Sequence, residues 1–285
     1  MVIRIVTDSS CDLPPAIIEM YRITVVPLYI HIGSQDFLDG IDLTRQEFYD
    51  RQPGLNPAPR TAAPGIAAFR KVYETLAGAS PTRATEILSI HLSIKLSATV
   101  EIARAAARET TALPVTVFDS RQLSLGTGFL VETAARAAAD GRSMAEILPL
   151  LDDQIRRTHV FAALDTLKFL QRSGRMNFAL SALGSLLSIK PVMRMENGEP
   201  SAERVRTRAG AMRRLVALLR QYGPYERVAM LHSHAASRAQ DLLGEVRSLL
   251  PEGEIWLEEI TPVLGAHIGP GVIGFVCISQ NSHRG

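Results

Sequence analysis

Short apolar runs rich in β-branched residues recur along the first half of the chain, and longer stretches with helical spacing separate them. Val2–Val6, Ile23–Ile30, Glu86–His91 and Val115–Phe118 predict strands. Pro64–Leu76, Ser97–Thr110 and Gln122–Ala139 predict helices. Alternation of this kind implies βαβ units around a mainly parallel sheet. A second set begins near residue 158, with strands expected at Val160–Leu164, Ile189–Met195, Arg227–Leu231, Ile255–Ile260 and Val272–Ile278. Helices are expected there at Thr207–Tyr222 and Ala235–Leu250. Two α/β domains, 1–155 and 156–285, fit this pattern better than one. Ligand sites in parallel sheets lie beyond the carboxyl ends of the strands. Polar clusters fall there: Thr7-Asp8-Ser9-Ser10, His91-Leu92-Ser93 and Asp119-Ser120.

Composition narrows the partners. With 46% apolar residues, 285 residues can bury sizeable cores. A formal net charge of +2 argues against nucleic acid as the main partner, which usually needs a concentrated basic face. Cys11 and Cys277 stand at opposite ends of the sequence with no ligand spacing around them, so no metal site is expected and both are read as free thiols. Arg4 interrupts the first apolar run, which reads as a strand and not a secretion signal. No run approaches the ~18 apolar residues of a membrane span. A soluble, cytoplasmic protein is expected.

The candidate chemistry is sparse. Thr61-Ala62-Ala63-Pro64-Gly65 precedes a predicted helix, where Thr61 is either a plain N-cap or part of an anion cradle. Ser93, Ser97 and Thr99 crowd another predicted helix start, which suits a carboxylate or phosphate. Thr261 to Gly274 gathers four glycines, two prolines and His267 into what reads as a turn ahead of a strand. Its Gly269-Pro270-Gly271-Val272-Ile273-Gly274 matches G-x-G-x-x-G, but a strand follows instead of a helix, so dinucleotide binding is not implied. Arg172, Arg206 and Arg208 are candidates for docking a partner, the basic group from Arg204 to Arg214 reading as a face for an acidic partner or a membrane surface, or else as solvated charges. There is no G-x-S-x-G elbow and no phosphate-binding Walker sequence. Nothing in the sequence brings Ser93, His267 and Asp119 together as a triad.

Read in order, these segments resemble the DegV family over nearly the whole chain. Thr7-Asp8-Ser9-Ser10-Cys11-Asp12-Leu13 resembles its T-D-S-x-x-D-L opening, and Thr61 to Gly65 is similar to its T-S-x-P-S loop. Ser93 to Thr99 resembles S-S-x-L-S-G-T, and Asp119-Ser120 with Ser124-Leu125-Gly126 echoes a further block. Leu170-Gln171-Arg172-Ser173-Gly174-Arg175 resembles F-L-x-R-x-G-R, followed by Lys190-Pro191 and Arg206-Thr207-Arg208. Gly265-Ala266-His267-Ile268-Gly269-Pro270-Gly271 is the best match. Ala62, Gly65, Ile94 and Ala98 depart from the family pattern and remove possible hydroxyl donors.

The resemblance implies a three-layer α/β/α first domain with a parallel sheet, a second α/β domain with a mixed sheet, and a long-chain fatty acid buried between them. It implies no cofactor and no catalysis by this chain alone; in some members a separate ATP-dependent kinase phosphorylates the bound carboxylate. The expected carboxylate contacts are Thr61 and Ser93, with Ser97 weaker and His267 as a further donor. Leu180, Leu183, Leu186 and Leu187, in the Phe178–Ile189 stretch, are a candidate tunnel wall or ordinary core. The competing readings are a lipid or ester hydrolase using Ser93 and His267, and a self-contained kinase of small hydroxyketones with its own nucleotide site.

Overall fold

The computed structural model describes residues 2–78, 85–175, 189–196 and 198–280. The chain separates into two compact units, Met1–Tyr29 with Thr61–Arg156, and Ile30–Arg60 with Arg157–Gly285. The sequence pattern divides the chain once, between 155 and 156. The structure adds a second crossing, because Ile30–Arg60 groups with the C-terminal half.

In the first unit β1 (Ile3–Asp8) leads through α1 (Pro15–Met20) to β2 (Thr24–Val26). The 29–62 stretch carries β3 (Tyr29–Ile32), β4 (Gln35–Leu38), α2 (Arg45–Arg51) and β5 (Arg60–Ala62), with a small sheet in the order β4–β3–β5. There follow α3 (Ile66–Gly78), β6 (Glu86–His91), α4 (Thr99–Glu109), β7 (Val115–Asp119), α5 (Leu125–Ala139) and α6 (Met144–Arg157). The main sheet runs β2–β1–β6–β7, parallel throughout. The Ile23–Ile30 run expected as one strand is two, β2 and β3, because Pro27 has no N–H to give a ladder between them.

Alternation along the strands fixes the layers. Val6, Val26 and Ile87 point to one face, where Phe69 and Tyr73 of α3 and Ala103 and Ala106 of α4 close a core. Ile5, Leu88 and Ile90 alternate to the other face and are buried. Helix α5 packs against β1 and β6 and is buried nearly all round, so its sequence is apolar without a polar stripe.

The second unit continues with β8 (Thr158–Ala163), α7 (Lys168–Arg172), β9 (Val192–Glu196), β10 (Glu199–Glu203) and α8 (Arg208–Tyr222). Then come β11 (Tyr225–His232), α9 (Ala236–Val246), β12 (Trp256–Glu259), α10 (Pro262–Ile268) and β13 (Ile273–Ser279). The sheet order is β10–β9–β8–β13–β11–β12, with β11 and β12 parallel and the other pairs antiparallel, so the sheet is mixed. Phe161, Met230 and Phe275 project onto one face and meet Leu215, Leu218 and Leu219 of α8 and Ala239 and Leu242 of α9. The early segment is held in this unit by Tyr49 donating to the Ile260 carbonyl at 2.9 Å and by Gln52 donating to the Gly265 carbonyl at 2.7 Å.

The glycine-rich stretch at 261–274 departs from expectation. It is a helix first and a turn second. Pro262 sits in the first turn of α10, where its missing N–H costs nothing. The turn proper is 269–272, with Gly269 at φ +75° and Gly271 at φ +89°, values a β-carbon disfavours. Ser233 staples it: its hydroxyl donates to the Gly269 carbonyl at 2.7 Å and accepts the Val272 N–H at 2.9 Å.

The close strand contact at Gly274 gives a packing prediction. A β-carbon there would come 2.6 Å from the Ala162 Cβ and 2.7 Å from the Phe161 carbonyl oxygen, both on the directly paired strand β8. Neither atom can swing aside. Gly274→Ala should therefore lower stability by about 2 kcal/mol through overpacking, read as a shift of the urea midpoint at unchanged slope; an unaltered midpoint would refute it.

Candidate functional site

The carboxyl ends of β1, β6 and β7 and the loops that follow them, 9–12, 92–98 and 120–124, carry a dense polar network in the first unit. Its centre is Asp8, wholly buried. One carboxylate oxygen accepts the Ser10 N–H at 3.1 Å and the Ser10 hydroxyl at 2.5 Å. The other accepts His91 Nδ1–H at 2.9 Å and the Leu92 N–H at 3.2 Å. On the far side of the ring, His91 Nε2 lies 2.7 Å from the Ser89 hydroxyl, and Ser89 lies 2.9 Å from the Tyr73 hydroxyl. Ser89, His91 and Tyr73 are all wholly buried. Burial pushes the Tyr73 phenol up to about 12, against the smaller opposing pull of its bond to Ser89.

Beyond β6 the chain turns through Ser93. Each amide of the turn is already committed. Leu92 N–H goes to Asp8, Ser93 N–H to the Gln122 carbonyl at 2.8 Å, and Ile94 N–H to Asp119 at 3.3 Å. Lys95 N–H goes to the Ser93 hydroxyl oxygen at 3.3 Å, and the Leu96 and Ser97 N–H groups return to the Ser93 carbonyl. Asp119 also takes the Arg121 N–H at 2.9 Å. An anion cradle of backbone amides is thus not what the 92–97 turn offers. What it offers is a hydroxyl: the Ser93 oxygen accepts from Lys95, and its own proton has no acceptor among the described residues. Ser93 is wholly buried.

The other expected site residues are placed as follows. Ser97 shares the turn with Ser93, and its hydroxyl lies 2.8 Å from that of Thr99 and accepts the Thr99 N–H at 3.3 Å, just ahead of the Ala98 N-cap position of α4. Thr61 is on β5, half-buried, five residues before α3 begins, so the expectation that it caps or opens that helix is wrong; the extended backbone of the strand carries it instead. His267 is half-buried on α10 of the second unit. Its imidazole is held down to about 4, first by burial and then by the Arg175 guanidinium, so it is neutral near pH 7 and donates as a neutral N–H. Leu180, Leu183, Leu186 and Leu187 lie outside the described residues.

The arginines behave unequally. Arg208 forks onto the carboxylate of Asp165 at 3.1 and 2.8 Å, and Lys190 donates to the Asp165 carbonyl at 2.7 Å. Arg172 and Arg206 are exposed. Arg214 pairs with Glu203 at 2.5 and 2.8 Å, which holds the Glu203 carboxyl below its ordinary range. Both cysteines are buried free thiols, and burial lifts the Cys11 thiol to about 12. Among the described residues no three His, Cys, Asp or Glu side chains group as metal ligands, and no helix is long and apolar enough to cross a membrane.

The sequence pattern marked Asp8, His91 and Asp119 as polar strand ends but missed the chain that Asp8 and His91 form with Ser89 and Tyr73. One signal was present. Ser89 and His91 are two apart in a strand, so they share a face.

Comparison with known proteins gives a consistent answer. The family model described as "Uncharacterised protein, DegV family" matches residues 2–280. A DegV domain-containing protein of Streptomyces coelicolor is 33% identical over 283 residues, covering 98% of this chain and 99% of that protein. The structure of a DegV-family protein from Thermus thermophilus, described for its fatty-acid binding, superimposes with a TM-score of 0.86 at 33% identity, over 98% of this chain and 100% of the other. DegV of Bacillus subtilis, described as a fatty-acid-binding protein, superimposes with a TM-score of 0.89 at 29% identity, again over 98% and 100%.

The depressed imidazole of His267 makes stability depend on pH. Its folded value is below the unfolded one, so the unfolded chain takes up a proton first as pH falls. Stability present above pH 6.5 is lost as pH drops towards about 4. His159 and His232, also held down mainly by burial, add to the same slope. His267→Gln should flatten part of that loss, measured as urea midpoints across the window; an unchanged slope would show that His267 does not carry it.

Proposed function

Because this chain belongs to the DegV family, we propose that it binds a long-chain fatty acid, its carboxylate held by uncharged donors and its tail in an apolar tunnel. The observation that carries this reading is Ser93: a wholly buried hydroxyl whose oxygen is engaged and whose proton is uncommitted. A buried donor without an acceptor is costly unless a ligand supplies one. The fatty-acid binding described for the Thermus thermophilus and Bacillus subtilis relatives supports the choice of ligand. Thr61 is the second proposed donor, Ser97 a weaker one because its hydroxyl already meets that of Thr99, and His267 a neutral N–H donor.

The energetic division follows from general magnitudes. Each buried methylene contributes about 0.8 kcal/mol, so a palmitate-like tail of about fourteen methylenes supplies roughly 11 kcal/mol before ordering costs. Each hydrogen bond to a charged head group adds about 1.5–3 kcal/mol. Affinity therefore resides in the tail, and orientation in the hydroxyls. An arginine fork would grip both carboxylate oxygens, whereas hydroxyl donors leave one oxygen accessible. That suits a carrier that presents the acid to a separate ATP-dependent kinase for acyl-phosphate formation, with no catalysis by this chain alone. The exposed Arg172 and Arg206 are proposed to dock such a partner; Arg208, occupied by Asp165, contributes less.

The hydrolase reading draws no support from the first unit. Among its described residues the serine within hydrogen-bond reach of a histidine is Ser89, sealed beside Tyr73, and the carboxylate of Asp119 serves backbone amides of the Ser93 and Arg121 turns. Purified protein should turn over no long-chain ester.

Organic extract of the purified chain should contain a long-chain acid by mass spectrometry. Ser93→Ala should weaken palmitate binding by roughly 10-fold or more, the loss of one charge-assisted bond. An extract free of lipid, together with no measurable palmitate binding by the wild type, would end the proposal.

A further inference from the structure

We propose that Asp8 is a positioning residue for the Ser93 hydroxyl, and that the buried chain Tyr73–Ser89–His91–Asp8 governs how well the site tells a carboxylate head group from a neutral one. The proposal rests on the fatty-acid reading of the Ser93 turn and adds to it the group that aims the donor.

For a neutral His91 ring the chain has a single sense. A carboxylate only accepts, so Asp8 fixes the proton of His91 on Nδ1. Nε2 is then bare and accepts from Ser89, which leaves the Ser89 oxygen to accept from Tyr73. Burial keeps the Tyr73 phenol protonated at any ordinary pH. The His91 ring cannot turn away, because Phe69 packs edge-on against it at 5.0 Å and 79°. All of this immobilises one carboxylate oxygen, and the same oxygen takes the N–H of Leu92, the residue before Ser93. The Gln122 carbonyl takes the next N–H along. The Ser93 side chain therefore leaves a backbone pinned at two successive amides, one of them by a full negative charge.

Positioning of this sort bears unequally on different ligands. A fatty acid and a fatty alcohol of equal length bury the same tail. They differ at the head, where a hydrogen bond to an anion is stronger and more sensitive to alignment than one to a hydroxyl. Loosening the Ser93 turn should cost the acid more than the alcohol. Asp8→Asn is the informative change because both oxygens of Asp8 accept. An amide can satisfy the Ser10 side or the His91–Leu92 side, but its NH2 must oppose donors on the other.

The test titrates palmitate and hexadecanol into full-length wild type, Asp8→Asn, Ser93→Ala and the double variant. The expected result is a preference for palmitate in the wild type that falls about 10-fold in Asp8→Asn, while hexadecanol affinity changes by no more than about 2-fold. The double variant should show no less preference than Ser93→Ala alone, because Asp8 acts through Ser93. Equal loss of both lipids in Asp8→Asn, or additive loss of preference in the double variant, overturns the proposal. If Asp8→Asn does not fold, Ser89→Ala leaves Asp8 in place and frees the far side of His91; it should reduce the preference by about 3-fold, and an undiminished preference overturns the proposal equally. A wild type that binds neither lipid overturns the fatty-acid reading itself, a result distinct from either of these.

Discussion

A buried carboxylate is stable only when its charge is answered, and in the first unit that requirement organises everything at the carboxyl edge of the sheet. Asp8 receives four donors from three places in the chain: Ser10 just after β1, His91 at the end of β6, and Leu92 in the loop beyond. Removing any one of them would leave a buried charged oxygen short of a donor, at a cost of about 1.5–3 kcal/mol. The adjacent strands β1 and β6 are thus joined at their ends by side chains as well as by their ladder. The network ties the 9–12 and 92–98 loops to a single buried carboxylate.

One consequence is chemical. Loops at the end of a parallel sheet often use free backbone amides to hold anions. Here the amides from 92 to 97 are consumed in holding the loop. Besides the exposed Lys95 ammonium, the side-chain donors of the turn are hydroxyls, neutral and rotatable, and their placement depends on the backbone beneath them. Cationic side chains do not take over in the second unit's basic segments, since Arg208 and Arg214 are matched by Asp165 and Glu203. The proposed head-group contacts are uncharged, and neutral His267 belongs to the same pattern. Such a set would hold a carboxylate without clamping it.

The second unit solves a different problem, the ordering of a chain rich in glycine and proline. At Gly269 and Gly271 positive φ values permit a turn that Ser233 then pins from the strand–helix junction after β11. In Gly274 the missing β-carbon allows β13 to lie against β8 at the centre of the mixed sheet. These glycines do different things, although they read alike in the sequence.

Hydrophobic periodicity determined most of the elements, because a strand with one or two buried faces and a helix with a buried stripe must repeat at fixed intervals. Strand β6 falls on the residues expected, and β1, β7, α3, α4, α5, α8 and β11 lie within three residues of expectation at either end. The order of short polar motifs determined the family. Periodicity could not find α10, because Pro262 and Gly265 look like breakers until Tyr49, from a segment some two hundred residues earlier, is seen occupying the space a β-carbon would need. Nor could it assign Ile30–Arg60 to the second unit, since that rests on bonds from Tyr49 and Gln52 to carbonyls at 260 and 265. The Asp8–His91–Ser89–Tyr73 chain was invisible for the same reason. Its members were in plain view as residue types, but hydrogen bonds between positions 8, 73, 89 and 91 exist only once β1, β6 and α3 are packed, and only that packing decides which serine faces a histidine and which is left with a proton to give.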